Sequence, residues 1–109
     1  MLSYKEVNSN KMLYERDIEK HFVNETKKIG CLNYKFVSPG NAGVPDRIVI
    51  ARTGKVYFVE LKRPNGKLRK LQEVVRRRFG ENKVPVYVIK SHEDIAFFMN
   101  YIQNKEKRE

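Results

Sequence analysis

Val44-Pro45-Asp46-Arg47-Ile48-Val49-Ile50 and Val56-Tyr57-Phe58-Val59-Glu60-Leu61-Lys62, joined through Arg52-Thr53-Gly54, form the stretch that decides the fold. Both runs are rich in β-branched and aromatic residues and are separated by a turn signal, which predicts a hairpin. They are apolar almost throughout, as strands covered on two faces are. The exceptions cluster at one end: Asp46 begins the first run, and Glu60 and Lys62 end the second. Strand side chains alternate, so Glu60 and Lys62 share a face. A three-residue loop with Gly54 in the left-handed conformation sets Ala51 opposite Lys55 and Asp46 opposite Glu60. A two-residue loop turns Asp46 to the other face. The three-residue register gathers two carboxylates and one ammonium at one sheet end, the outline of a site for metal and phosphate.

Working outward, the first helix is expected from Ser9 or Asn10 to about Ile29, closed by Gly30, with Tyr14, Ile18, Phe22 and Ile29 as its apolar stripe. Ser3 and Glu6 offer an earlier capping box. A strand over Cys31–Val37 leads into Ser38-Pro39-Gly40-Asn41-Ala42-Gly43, a turn-rich segment that lets backbone approach a ligand. After the hairpin, Arg63-Pro64-Asn65-Gly66 breaks the pattern. A second helix is expected over about Lys67–Phe79, with Leu68, Leu71, Val75 and Phe79 inward, Gly80 as its stop and Gln72 at the border of the stripe. Val84–Ile89 reads as a fourth strand, and Ser91 with Asp94 caps a last helix. The order α-β-β-β-α-β-α, with a helix between the third and fourth strands, implies a parallel crossover and hence a mixed α/β sheet with helices on both faces.

Composition frames the function. A chain of 109 residues is long enough for one core, and its formal charge of +10 favours a polyanionic partner, nucleic acid before an acidic membrane surface. No apolar run approaches the ~18 residues of a membrane span, and Met-Leu-Ser-Tyr-Lys-Glu lacks a signal-peptide core. Cys31 stands alone, which excludes a disulfide framework and a thiolate zinc site. The expectation is an intracellular protein.

Hydrolysing a phosphodiester requires stabilising charge on the phosphoryl oxygens and producing hydroxide at neutral pH. A magnesium-like cation does both, and it prefers a few carboxylate oxygens plus waters. Asp46 and Glu60 can supply such oxygens, the Leu61 carbonyl can complete the set, and Lys62 can hold the attacking water or the scissile phosphate. A salt-bridged Asp-Lys-Glu cluster capping a sheet end is the competing reading. The conjunction of Pro-Asp at hairpin distance, a Gly-rich loop and an apolar strand favours function.

Phe36-Val37-Ser38-Pro39-Gly40-Asn41-Ala42-Gly43-Val44-Pro45-Asp46-Arg47, with Val59-Glu60-Leu61-Lys62 and Gln72, closely resembles the VRR-NUC (virus-type replication-repair nuclease) family of the PD-(D/E)xK superfamily. The resemblance covers roughly Glu15 to Ile95 and implies a restriction-endonuclease-like fold, within a chain whose length gives a single domain over residues 1–109. It implies a DNA endonuclease dependent on Mg²⁺ or Mn²⁺, in the cytoplasm of a bacterium or a phage-infected host cell. On this resemblance Asp46 and Glu60 are metal ligands, Lys62 is the catalytic lysine, Gln72 the second-helix glutamine, and Glu15 rather than Glu19 the helix-one acid. Ser38, Gly40, Asn41, Gly43, Arg47 and Arg63 become candidate nucleic-acid contacts. Stand-alone members resemble Holliday junction resolvases, implying a homodimer that selects branched DNA.

Other signals divide. The basic face of the second helix, Lys67, Arg69 and Lys70 with Arg76, Arg77 and Arg78, suits either a phosphate backbone or plain solvation. His21 and His92 are far apart with no partner ligands, so surface or packing roles are expected. The tyrosines read as core and interface filler. The apolar excess of Ile95–Ile102 with Met12-Leu13-Tyr14 fits a partner surface or a three-layer core. A non-catalytic nucleic-acid-binding module and a general nuclease without junction preference are the alternatives.

Overall fold

The computed structural model describes residues 4–63 and 67–108, with side chains placed for 16–63 and 67–105. The elements run α1 (Tyr4–Lys28), β1 (Leu32–Lys35), β2 (Arg47–Ile50), β3 (Val56–Leu61), α2 (Lys70–Glu81), β4 (Val86–Ile89) and α3 (His92–Arg108). The order is the one expected. The four strands lie in the order β1-β2-β3-β4, antiparallel at the first two junctions and parallel between β3 and β4, so the sheet is mixed.

The hairpin takes the three-residue register. Ile50 pairs with Val56 and Arg47 with Val59. The Ala51 amide donates to the Lys55 carbonyl at 2.8 Å, and Gly54, at φ 93°, closes the loop through its amide to Ala51 at 2.9 Å. Alternation then sorts the faces. Val49, Tyr57 and Val59 turn to one side, where Ile18 and Phe22 of α1 and Ile95, Phe98, Met99 and Ile102 of α3 bury against them. Phe98 meets Phe22, Tyr57 and Tyr87 edge-on, with ring centroids 5.4–5.8 Å apart. Phe58 turns to the other side and meets Phe79 of α2 at 5.2 Å and Phe36 at 5.6 Å.

Several expectations shift. Helix α1 begins at Tyr4, so Asn8, Ser9 and Asn10 lie inside it. Their low helix propensity costs only about half a kcal/mol each and does not stop a helix. The Ser3–Glu6 capping box lies outside the described residues. Gly30 does close α1: at φ 84° it donates to Lys27, while Cys31 donates to Thr26, the paired bonds of a Schellman motif. Gly80 does not close α2. The helix runs through it, and Lys83, at φ 64°, takes the left-handed position, with its amide on Gly80 and that of Val84 on Phe79. Leu71, expected inward, is half exposed, because Gln72 turns toward the sheet in its place. Ser91 caps α3 as expected, accepting from the Asp94 amide at 3.0 Å. No helix among the described residues is long and apolar enough to cross a membrane.

A buried polar chain ties the first helix to the sheet. Arg47 is 7% exposed. Its Nε donates to Asn33 Oδ1 at 2.7 Å, its Nη2 to the Asn33 carbonyl at 3.2 Å, and its Nη1 meets Glu19 at 3.5 Å. Asn33 Nδ2 donates to Thr26 Oγ1 at 3.0 Å, and Thr26 donates to the Val23 carbonyl. Arg47, a candidate nucleic-acid contact, thus lies within this network. Strand alternation turns it onto the α1 face, where Asn33 and Glu19 engage all three of its nitrogens. Asn33→Ala strips the guanidinium of its closest acceptor and leaves Thr26 without that donor, a cost of about 2–4 kcal/mol. Urea unfolding measures it, and a loss under about 0.5 kcal/mol would show that Arg47 does not depend on Asn33.

Candidate active site

Register places Asp46 opposite Glu60, one step beyond the Arg47–Val59 pair. Both side chains fall on the α2 face of the sheet, because alternation puts them with Phe58 rather than with Val59. Asp46 Oδ2 accepts the Leu61 amide at 2.9 Å, which fixes the carboxylate at the sheet end. Its own backbone carbonyl accepts from Phe36 at 2.8 Å, so Asp46 faces β1 with its main chain while Pro45 faces β3. Continuing the register, Pro45 stands opposite Leu61. Proline has no N–H, so the ladder bond to the Leu61 carbonyl cannot form from that side. The result is a carbonyl without its usual ladder donor next to two carboxylates.

Glu60 is 2% exposed. Gln72 Nε2 donates to its Oε1 at 2.9 Å, and Gln72 Oε1 accepts the Arg69 amide at 2.9 Å. One glutamine thus caps the first turn of α2 and holds a buried carboxyl on β3. Burial pushes the Glu60 carboxyl up from 4.5 to about 8. A hydrogen bond to Asp46 and the charge of that neighbour add to the effect, while Lys62 and Arg69 oppose it. Without a cation the two carboxyls hold a proton between them.

A cleft of about 560 Å³ opens at this sheet end, lined by Asp46, Leu61, Lys62, Arg69 and Gln72 on one side and by Arg16, Ile18, Glu19, Lys35, Phe36 and Val37 on the other. Glu60 borders a smaller adjoining space with Gly43, Pro45, Leu68, Gln72, Arg76 and Val86. Asp46, Leu61, Lys62 and Gln72 therefore meet at one cleft, with Glu60 in the adjoining space. Glu15 lies one turn before Glu19 on α1, and its side chain is outside the described residues, as are those of Met12, Leu13 and Tyr14. Among the described residues no group of three or more His, Cys, Asp or Glu side chains converges as a ready metal cage. The oxygens that could hold a cation here are those of the two carboxylates and the Leu61 carbonyl.

The remaining candidates spread around the cleft. Ser38-Pro39-Gly40-Asn41 is a turn with Pro39 and Gly40 at its centre, Gly40 at φ 80°, closed by the Asn41 amide on the Ser38 carbonyl at 3.0 Å. Gly43, at φ 89°, passes so close to α2 that a Cβ there would sit 2.8 Å from the Leu71 carbonyl oxygen. Arg63, Lys67, Arg69 and Lys70 are exposed, and of these Arg69 lines the cleft. Arg16, Lys35 and Val37, which the sequence reading passed over, also line it. Lys35 pairs with Arg47 across β1 and β2, a register that exact strand ends would have revealed.

Three comparisons bear on this arrangement. The VRR-NUC domain family profile matches residues 4–93. A protein of Acyrthosiphon pisum secondary endosymbiont phage 1, whose name designates it provisionally as a nuclease, is 54% identical over 57 residues. That match covers 52% of this chain, and the chain spans about six-tenths of the length of that relative, 61%. A solved structure described as a VRR_NUC domain superposes with a TM-score of 0.76 at 27% identity, covering 80% of this chain and 95% of the other.

The raised Glu60 proton affinity has a stability consequence. In the metal-free fold Glu60 keeps its proton up to about pH 8, whereas the unfolded chain releases it near 4.5. The folded state binds more protons between those values, so its stability falls as pH rises through them. In EDTA, urea unfolding at pH 5, 6.5 and 8 should show this decline, and Glu60→Gln should flatten it. Parallel pH profiles for the two proteins would remove Glu60 as its source.

Proposed function

Because the chain belongs to the VRR-NUC domain family, we propose that it is a divalent-metal-dependent DNA endonuclease that selects branched DNA and works as a homodimer. The observation that carries this reading is the Asp46–Glu60 pair beside Lys62, at a cleft lined by Arg16, Lys35 and Arg69. The donor set fits Mg²⁺ or Mn²⁺: both take carboxylate, carbonyl and water oxygens, and a carboxyl pair that retains a proton gains by exchanging it for a cation. Asp46, Glu60 and the Leu61 carbonyl would hold the ion. When bound, it supplies a Lewis acid for the phosphoryl oxygens and lowers the pKa of water.

The chain's own residues do the rest. Gln72 holds Oε1 of Glu60 and leaves the second oxygen for the ion. Lys62, on the same strand face, positions the attacking water or the scissile phosphate and balances the two carboxylates. Glu15 is the further acid from α1, since Glu19 is engaged by Arg47 at 3.5 Å. Arg16, Lys35 and Arg69, with Arg63, Lys67 and Lys70 beyond them, take backbone phosphates. Ser38, Gly40, Asn41 and Gly43 let the main chain approach the strand.

Substrate and assembly follow from counting sites. One site cuts one strand, and two matched nicks in a four-way junction require two sites related by a twofold axis. Phe97 of α3 is 78% exposed and Tyr101 37%, an apolar patch for such a pair. The charge of +10 doubles in the dimer and holds the arms through phosphates, so binding weakens steeply with salt.

Asp46→Ala and Glu60→Ala are each expected to lower cleavage roughly a thousandfold while DNA binding persists. Lys62→Ala should be inactive yet still bind the ion. Absence of cleavage by the unaltered protein with either Mg²⁺ or Mn²⁺ would leave a non-catalytic binding module. In a side-by-side kinetic comparison Glu15→Gln should cripple activity and Glu19→Gln do so less, and the reverse order would move the acid by one turn. Sedimentation at micromolar concentration should give a dimer, with four-way junctions cut in preference to linear duplex. A monomer that cuts both equally would reduce the reading to a general nuclease.

A further inference from the structure

His21 on α1 and His92 at the start of α3 are 71 positions apart, and their sequence context offers no ligand set. The fold brings the two rings to 4.7 Å between centroids, tilted by 39°. Their Nδ1 atoms face each other at 2.6 Å. Behind the rings, His92 Nε2 lies 2.9 Å from Asp17 Oδ2, and His21 Nε2 lies 3.4 Å from Glu25 Oε1. The surface or packing role expected of each is one they share, because α1 and α3 pack side by side across the core.

Two imidazole nitrogens converge on one point with a carboxylate behind them. Asp17, 2.9 Å from His92 Nε2, accepts the hydrogen on that nitrogen and leaves His92 Nδ1 a lone pair aimed at His21. With the hydrogen of His21 on its Nε2, toward Glu25, both Nδ1 atoms offer lone pairs to a shared ion. A carboxylate on the far nitrogen of a histidine is also the arrangement that orients imidazole ligands and raises their basicity.

We infer that His21 and His92 form a transition-metal site of the Zn²⁺, Ni²⁺ or Cu²⁺ class, distinct from the Asp46–Glu60 cleft, that clamps α1 to α3. Imidazole nitrogen selects these ions, whereas Mg²⁺ and Mn²⁺ prefer oxygen. With Zn–N bonds of about 2.0–2.1 Å in a tetrahedral site, two ligand nitrogens stand roughly 3.3 Å apart. The rings must therefore separate slightly, which their exposure permits at 34% and 40% of side-chain area. Among the described residues no third His, Cys, Asp or Glu completes the set, so water fills the remaining positions. The positive end of the α3 dipole opposes a cation at His92, but Glu93 and Asp94 in its first turn, with Asp17 and Glu25, offset it. Lys28 draws on Glu25 at 3.2 Å, leaving Asp17 the stronger support. The clamp matters to the cleft because α1 carries Arg16 and Glu19 into it.

The test uses the full chain freed of metal with EDTA and titrated with zinc chloride by calorimetry and thermal unfolding. One equivalent is expected to persist in Asp46→Ala and to vanish in both His21→Gln and His92→Gln. The Tm rise of about 5 °C or more, at free Zn²⁺ some tenfold above its dissociation constant, should vanish with it. Asp17→Asn should weaken binding about tenfold without abolishing it. Copper added to the unaltered protein should give an electron paramagnetic spectrum with two coupled nitrogens, a signature independent of how the variants fold. Zinc isotherms unchanged in both histidine variants, or a copper spectrum without paired nitrogens, would overturn the site.

Discussion

The register of one hairpin decides whether this sheet end has any chemistry. Asp46 and Glu60 share a face only because the loop after Ala51 holds three residues, and Gly54 at φ 93° makes that loop possible. A slip of one residue would leave Glu60 on the α2 face and turn Asp46 toward α1, into space that Arg47 fills. The same register puts Pro45 opposite Leu61, so the Leu61 carbonyl lacks its ladder donor while its amide is taken by Asp46. Pairing, donor removal and carboxylate orientation thus have one geometric cause.

That convergence is electrostatically unfavourable in the bare fold, and the surroundings are arranged to hold it. Two carboxyls, one buried, are kept together by a retained proton, with Lys62 and Arg69 lowering the penalty. Gln72 anchors Glu60 from the first turn of α2. The helix is otherwise shallow, with no fully buried residue, and Phe79 against Phe58 is its main aromatic contact. Its attachment near the site therefore depends on Gln72 and on the close approach of Gly43 to Leu71. A polar anchor at the end where charge gathers and an apolar one at the other suit a helix bordering a wet cleft.

Much of this was legible because it rests on local rules. The hairpin loop, the closure of α1 by Gly30, the Ser91–Asp94 cap and the element order each follow from a few adjacent residues, and the structure has all of them. What could not be read depends on pairing across the chain or on the rotation of a helix. Arg47 is a candidate nucleic-acid contact from its place in the motif, yet its face is the buried one, where its guanidinium reaches Asn33, two residues along β1 from its pairing partner Lys35. Arg16 and Lys35 needed the packing of α1 over the β1 edge before they could be placed in a cleft. Gly80 seemed a helix stop, but a helix ends where the left-handed residue falls, and that residue is Lys83. The meeting of His21 and His92 needed the α1–α3 contact itself.

The two neighbours Asp46 and Arg47 show how one strand serves both sides of the sheet. Asp46 meets Glu60 on the α2 side, and its successor reaches under α1 to Asn33 and Glu19. Because successive strand residues point to opposite faces, a displacement of β2 at this point moves the carboxylate and the guanidinium together. The guanidinium in turn bears on Glu19, the α1 residue one turn from Glu15, so the spacing between α1 and the carboxylate pair is set through a fork of rigid donors rather than through the cleft. Helix α1 is held at a second point where His21 meets His92, one turn beyond Asp17, and Phe22 packs against Phe98 between the helices. Two polar fastenings with an apolar contact beside them fix both the position and the rotation of α1. A helix that lines a cleft with Arg16 and Glu19 from outside the sheet keeps that lining in place only when both are fixed.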